Sequence, residues 1–141
     1  MKRVRAAAGE PAHILVSAPN RAGELFLSRL RQRGVPHMAI ANNMYEKNRL
    51  ESLGIRRVLV VDTRDRGSWT PPDIRIGKVF LFEDSMNLCC RYIHICKSWK
   101  TEAIHAVTRS DYSRAVYRSL GVKHLKYANK KDIPELANRL V

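Results

Sequence analysis

The sequence has little from which to build a metal centre or a disulfide framework. Its 141 residues contain three cysteines, Cys89, Cys90 and Cys96, and no C-x-x-C spacing, so neither a zinc ribbon nor a stapled secreted scaffold is spelled out. With His94 nearby these cysteines could be imagined as a cluster. They fall, however, in an apolar stretch of helical period, where a free cysteine packs as a small hydrophobe, and no metal is expected. No apolar run approaches the roughly 20 residues of a membrane span, and nothing reads as the apolar core of a signal peptide. A cytoplasmic protein without membrane insertion is the expectation. The basic start Met1-Lys2-Arg3-Val4-Arg5, followed by Ala6-Ala7-Ala8-Gly9-Glu10-Pro11, reads as a flexible leader over residues 1–12 ahead of one domain over residues 13–141.

Motifs of catalysis are missing too. There is no G-x-x-x-x-G-K loop, no G-x-S-x-G elbow and no H-E-x-x-H helix. Tyr92–Lys97 and Tyr127–Lys130 do not have the four-residue Tyr–Lys spacing by which some dehydrogenases lower a phenol's pKa. No catalysis is expected. Aromatic residues make up 7 % of the chain, without the zinc-finger, basic-zipper or aromatic-rich patterns of nucleic-acid readers.

Acidic residues are scarce relative to basic ones. Thirteen Asp and Glu stand against 26 Lys and Arg, a net charge of +13 and an isoelectric point near 10.2. Such a balance favours a polyanionic partner. The basic residues are spread along the chain, from Arg29, Arg31 and Arg33 through Arg56, Arg57, Arg64 and Arg66 to Arg109, Arg114, Arg118 and the lysines from Lys123 to Lys131. A solvated basic surface and a surface for nucleic acid or an acidic protein are both open on this pattern.

What is present is a repeated alternation of buried strand and amphipathic helix. Ile14-Leu15-Val16 form a continuous apolar run, as expected of a parallel strand covered on both faces. The period then changes, with Phe26, Leu27 and Leu30 on one helix face and a stop at Gly34. Further strands are read at 36–41, 58–61, 78–82, 103–107 and 123–127. Helices are read at 44–53, 86–98 and from Asp111 to Leu120, with a last one opened by Asp132-Ile133-Pro134. Glu83-Asp84-Ser85 reads as a capping break. Leu50-Glu51-Ser52-Leu53-Gly54-Ile55-Arg56-Arg57 is echoed by Tyr117-Arg118-Ser119-Leu120-Gly121-Val122-Lys123-His124, so one helix-stop-strand junction occurs in each half. The pattern predicts an α/β, Rossmann-like, three-layer domain: six mostly parallel strands in the order 3-2-1-4-5-6, helices on both faces.

In that fold, ligands bind at the carboxyl edge of the sheet. The first strand ends there in Ser17-Ala18-Pro19-Asn20-Arg21-Ala22-Gly23. Against G-x-G-x-x-G the chain offers Ala18, Asn20 and Gly23, so only the glycine of helix-strand packing survives. A phosphate at the helix start and a turn that merely connects are both compatible with these residues. Asn20 is suited to a left-handed turn.

The span from His13 to Leu140 resembles the TrkA-N type of nucleotide-binding domain of potassium-conductance regulators, the RCK or KTN family. The resemblance rests on Ile14-Leu15-Val16 with Arg21-Ala22-Gly23, on Leu50-Glu51-Ser52-Leu53-Gly54-Ile55 before Val60-Val61-Asp62, on Asp84-Ser85-Met86-Asn87-Leu88, and on Ala106-Val107-Thr108-Arg109 before Ser119-Leu120-Gly121-Val122. It implies a regulatory domain that binds NAD, NADP or an adenine nucleotide, usually as a homodimer or larger assembly. It carries no catalytic residues. The family's C-terminal ligand domain has no counterpart in these residues, so output is expected through a partner or self-association. The acidic residue that holds the ribose falls at Ala41, followed by Asn42 and Asn43. Asn42 could bond a ribose there, and Lys47 or Arg49 a 2′-phosphate. Asp62 and Thr63 match the adenine side, and Glu83, Asn87 and Arg109 border the crevice from the second half. For Asp62 and Glu83 a plain capping role is the alternative.

Overall fold

Consecutive side chains of the first strand, β1 (His13–Ser17), enter different layers. Ile14 and Val16 pack with Phe26, Leu27 and Leu30, whereas Leu15 packs with Tyr92, Ile93 and Cys96. A strand covered on both faces needs apolar residues at every position, which is why its sequence does not alternate. The computed structural model describes residues 11–141. Apart from Pro11 and Ala12, the leader expected over residues 1–12 lies outside the described residues.

After β1 follow α1 (Arg21–Gln32), β2 (His37–Ala41), α2 (Met44–Ser52), β3 (Val58–Val60), β4 (Ile76–Phe82), α3 (Met86–Ser98), β5 (Ala103–Val107), α4 (Asp111–Ser119), β6 (His124–Lys126) and α5 (Ile133–Leu140). The strands form one sheet in the order β3-β2-β1-β4-β5-β6, every neighbouring pair parallel. Residues of α1 and α5 line one face with Phe80 and Phe82, and those of α3 and α4 the other with Val79 and Leu81. The order reverses between β1 and β4, and the crevice of a Rossmann-like fold opens there.

Some boundaries differ from the sequence reading, for local reasons. Helix α1 starts at Arg21 because Asn20 caps it, accepting the Gly23 N–H at 3.0 Å. Helix α4 starts at Asp111 as read, and Ser110 caps it, its hydroxyl accepting the Ser113 N–H at 3.2 Å. Strand β4 begins two residues earlier than expected, at Ile76. The helix stops behave alike: Gly34, Gly54 and Gly121 have φ of 67°, 93° and 92°. In each the next N–H returns five residues, Val35 to Leu30, Ile55 to Leu50 and Val122 to Tyr117, a Schellman closure. At the end of α3 the left-handed position, φ 56°, is held by Lys100.

One buried base gives the fold a pH dependence. The His105 ring lies between Phe80 at 4.5 Å and His124 at 4.4 Å, and its Nδ1 has no hydrogen-bond partner. Burial first, then the charges of His124, Lys126 and Lys78, lower its pKa from 6.5 to about 4. The folded state therefore binds this proton less readily than the unfolded chain, and stability falls as pH drops from 6.5 towards 4. Urea unfolding should show about 2 kcal/mol less stability at pH 5 than at pH 7.5. His105→Phe should remove most of that difference.

Candidate functional site at the carboxyl edge of the sheet

The β1–α1 turn is built by small residues and one amide. A Cβ on Gly23 would stand 2.6 Å from the Ala18 Cα and 2.8 Å from its Cβ, so only glycine lets the first turn of α1 lie on the end of β1. Asn20 works in two directions. While its Oδ1 caps the helix, its Nδ2 donates to the Glu83 carbonyl at 2.9 Å, tying the turn to the end of β4. Its backbone is extended, φ −139°, so the left-handed turn expected there is not used.

Beside this turn a cleft of about 200 Å³ opens at the ends of β1 and β2. Ser17, Ala18, Pro19, Asn42 and Asn43 line it, together with Ala41, Glu46, Asp84, Leu88 and Tyr92. The structure thus brings the first-strand and second-strand candidates to one place. Asn43 is largely committed, since its Oδ1 caps α2 by accepting the Glu46 N–H at 2.8 Å. Glu46 was not singled out in the sequence. Its position three residues after a capping Asn was the available signal, because that places it in the first helical turn, over the strand end.

Arg49 is not available to a 2′-phosphate as expected. Its guanidinium turns inward, donating to the Ala18 carbonyl at 2.5 Å and to Glu46 at 2.8 Å, and pairing with Glu24. The Glu46 hydrogen bond leads the influences that raise its pKa. This network pins α2 to the β1–α1 turn. Lys47 faces Glu51 at 3.7 Å on the outer side of α2.

The remaining candidates lie around this centre. Arg21 is exposed at the start of α1, 3.3 Å from Glu24, and Ala22 stands between it and Gly23. Asp62 and Thr63 follow β3, outside the residues that line the cleft. The Asp62 carboxylate accepts the Arg64 N–H at 3.0 Å, which is the turn-capping alternative. Asn87 and Arg109 are exposed on the far side of the crevice. Glu83 does not cap α3; Ser85 does. The Glu83 carboxylate instead accepts the Thr108 hydroxyl at 2.5 Å and the Tyr117 hydroxyl, beneath the crevice. Burial raises the Tyr117 pKa, and hydrogen bonds with Cys89 and Glu83 add to it.

Cys89 and Cys96 are buried, with thiols pushed up to about 12 by burial, so neither is a thiolate near neutrality. Tyr127 does have a lysine four residues on, Lys131. The tyrosine, however, follows β6 in a loop and the lysine lies in a single 3-10 turn, so the pair does not share the face of a helix. No helix of the described residues is long and apolar enough to cross a membrane.

Comparison with known proteins places the fold. No family model and no curated protein matches the sequence. Among solved structures, the GsuK channel bound to NAD is similar over 89 % of this chain, at 14 % identity and a TM-score of 0.66. The GsuK RCK domain is similar over 88 %, at 14 % identity and a TM-score of 0.67. The TrkA-N domain of the inner membrane protein ybaL from Escherichia coli is similar over 95 % of this chain and all of its own, at 13 % identity and a TM-score of 0.65. The chain spans about a quarter of the GsuK chains, 23 % and 27 %. These likenesses are of fold: the chain has the Rossmann-type architecture of TrkA-N and RCK domains.

Proposed function

We propose that the chain, starting from the fold it shares with TrkA-N and RCK domains, is a non-catalytic regulatory domain that binds an adenine nucleotide or NAD(H). The observation that carries this reading is the open cleft at the ends of β1 and β2, beside the start of α1. The first N–H groups of a helix have no acceptor within it and attract a phosphate; at α1 Asn20 takes that of Gly23, which leaves those of Arg21 and Ala22. That the GsuK channel was solved with NAD supports the reading.

The lining residues refine the ligand. At about 200 Å³ the cleft is smaller than the roughly 300–1,000 Å³ of a pocket enclosing a drug-sized ligand, so it takes one nucleoside half rather than a whole dinucleotide. Ala41 brings no carboxylate to the ribose, but Asp84 stands in the same cleft, beside Glu46, whose charge is paired with Arg49. The Asp84 charge favours free ribose hydroxyls and opposes a 2′-phosphate. Occupancy would then bias self-association or a partner contact, the homodimer being the simplest case.

Thermal unfolding with NAD(H), NADP(H), ATP, ADP and AMP tests this. At a hundredfold excess over Kd, a ligand specific for the folded state adds about 2.7 kcal/mol, or about 8 °C in a chain of this size. NAD(H) or an adenine mononucleotide should give that shift at low and high salt, with NADP(H) giving less. Leu88→Trp, which narrows the cleft from its partly buried rim, should abolish it. No salt-resistant shift from any of these nucleotides would overturn the proposal.

A further inference from the structure

Some of the basic residues that are spread along the sequence are brought to one edge by the fold. In a parallel sheet all strand starts, and the ends of the helices that precede them, lie along one edge. Arg31, Arg56 and Arg57 line an open concavity of about 310 Å³ at the starts of β2 and β3. Lys97 and Lys123 line a second, of about 200 Å³, at the starts of β5 and β6, with Lys100 beside it. Among the described residues none of these six pairs with a carboxylate. Glu102, in the second concavity, is the acidic exception.

Helix dipoles explain only part of this. A cation in a last helical turn is favoured by the carbonyl end, which covers Arg31 and Lys97. Arg56, Arg57 and Lys123 come after their helices have stopped and gain nothing there. Lys100 is the only non-glycine residue of positive φ among the described residues, at 56°, where the ends of α1, α2 and α4 use glycine. A left-handed side-chain residue costs roughly 1–2 kcal/mol, and strain of this kind marks a position kept for something other than stability.

We propose that this amino-terminal edge, opposite the nucleotide cleft, binds the phosphate backbone of duplex nucleic acid without reading its sequence. Arginine forks suit phosphate oxygens. From the start of β3, which Arg57 precedes, to that of β6, which Lys123 precedes, there are five strand spacings, about 24 Å, about twice the roughly 12 Å width of a major groove, so the two concavities reach phosphates more than one groove width apart on a duplex. The exposed tyrosines Tyr45, Tyr112 and Tyr127 all lie at the opposite edge, and the aromatic rings at this one are His37 and His124 in the concavities and the partly buried Trp99, fewer than a stacking platform for single strands uses.

The test is fluorescence anisotropy of the 141-residue chain with a labelled 20-base-pair DNA duplex over a salt series. Each phosphate contact contributes about −0.9 to the slope of log K against log salt. The triple variant Arg56→Gln, Arg57→Gln, Lys123→Gln should weaken binding and flatten the slope by about 2.7. Arg64→Gln with Arg109→Gln, at the opposite edge, should leave both unchanged. Lys100→Gly should melt higher yet bind more weakly. Thermal melting checks each fold, and the single variants Arg57→Gln and Lys123→Gln serve if the triple one is unfolded, each flattening the slope by about 0.9. The proposal is overturned if the wild-type chain does not bind, if the slope survives these edge variants, or if binding follows Arg64 and Arg109. It is equally overturned if vesicles of anionic lipid, or a polyglutamate peptide, bind through this edge and the duplex does not compete.

Discussion

Gly23→Val will undo the β1–α1 junction. The substituted Cβ would meet backbone, the Ala18 Cα at 2.6 Å, and a backbone atom cannot swing aside as a side-chain tip can. Either α1 lifts from the sheet or the turn rebuilds. Lifting would disturb Phe26, which is fully buried against Phe80 and Phe82 at centroid distances of 4.6 and 5.2 Å. Overpacking of ordinary cores costs about 1–3 kcal/mol, occasionally more; with no yielding neighbour we expect about 4 kcal/mol from urea unfolding, on the same scale. The nucleotide-induced shift should vanish with it, since the helix start and the cleft share this turn. Near-native stability in the variant would show that α1 does not depend on this close approach.

Tyr117 should be the second most sensitive position. Its side chain is fully buried and its hydroxyl donates to Glu83, which also receives Thr108. Tyr117→Ala removes an aromatic packing unit and should cost about 4 kcal/mol. Tyr117→Phe keeps the ring and removes only the donor, leaving a carboxylate beneath the crevice with one partner fewer, at a cost of about 1–3 kcal/mol. Denaturant unfolding of the two variants separates packing from polar satisfaction. If they destabilise equally, the hydroxyl carries the whole effect and the ring is replaceable; if Tyr117→Phe is neutral, the Glu83 carboxylate is satisfied without it.

Much of this architecture was legible because its signals are local. Apolar runs such as Ile14-Leu15-Val16 mark strands buried on both faces, and Gly34, Gly54 and Gly121 mark helix ends, since a positive φ is needed within a residue or two of the last turn. The strand order follows from two similar halves meeting at one switch point. What was not legible depends on partners distant in sequence. The second bond of Asn20 goes to a carbonyl 63 residues away, and nothing near Asn20 announces it. Glu83 looked like a cap because it precedes a helix, yet its partners come from β5's end and α4. Arg49 looked free for a ligand because its Glu24 partner lies one helix earlier. The charge was hard to place in the same way, because only the parallel order shows that Arg31, Arg56, Arg57, Lys97 and Lys123 share one edge while Arg64 and Arg109 go to the other.

The two outermost strands have a consequence for assembly. β3 and β6 are three residues long, so each offers only a few unpaired backbone groups to a passing strand. A sheet that is broad in its middle and clipped at its margins resists growth by edge-to-edge pairing. A continuous intermolecular sheet is therefore a poor way to join two copies of this domain. Any lasting self-association has to be made through helix faces, where side chains rather than main-chain hydrogen bonds choose the mate.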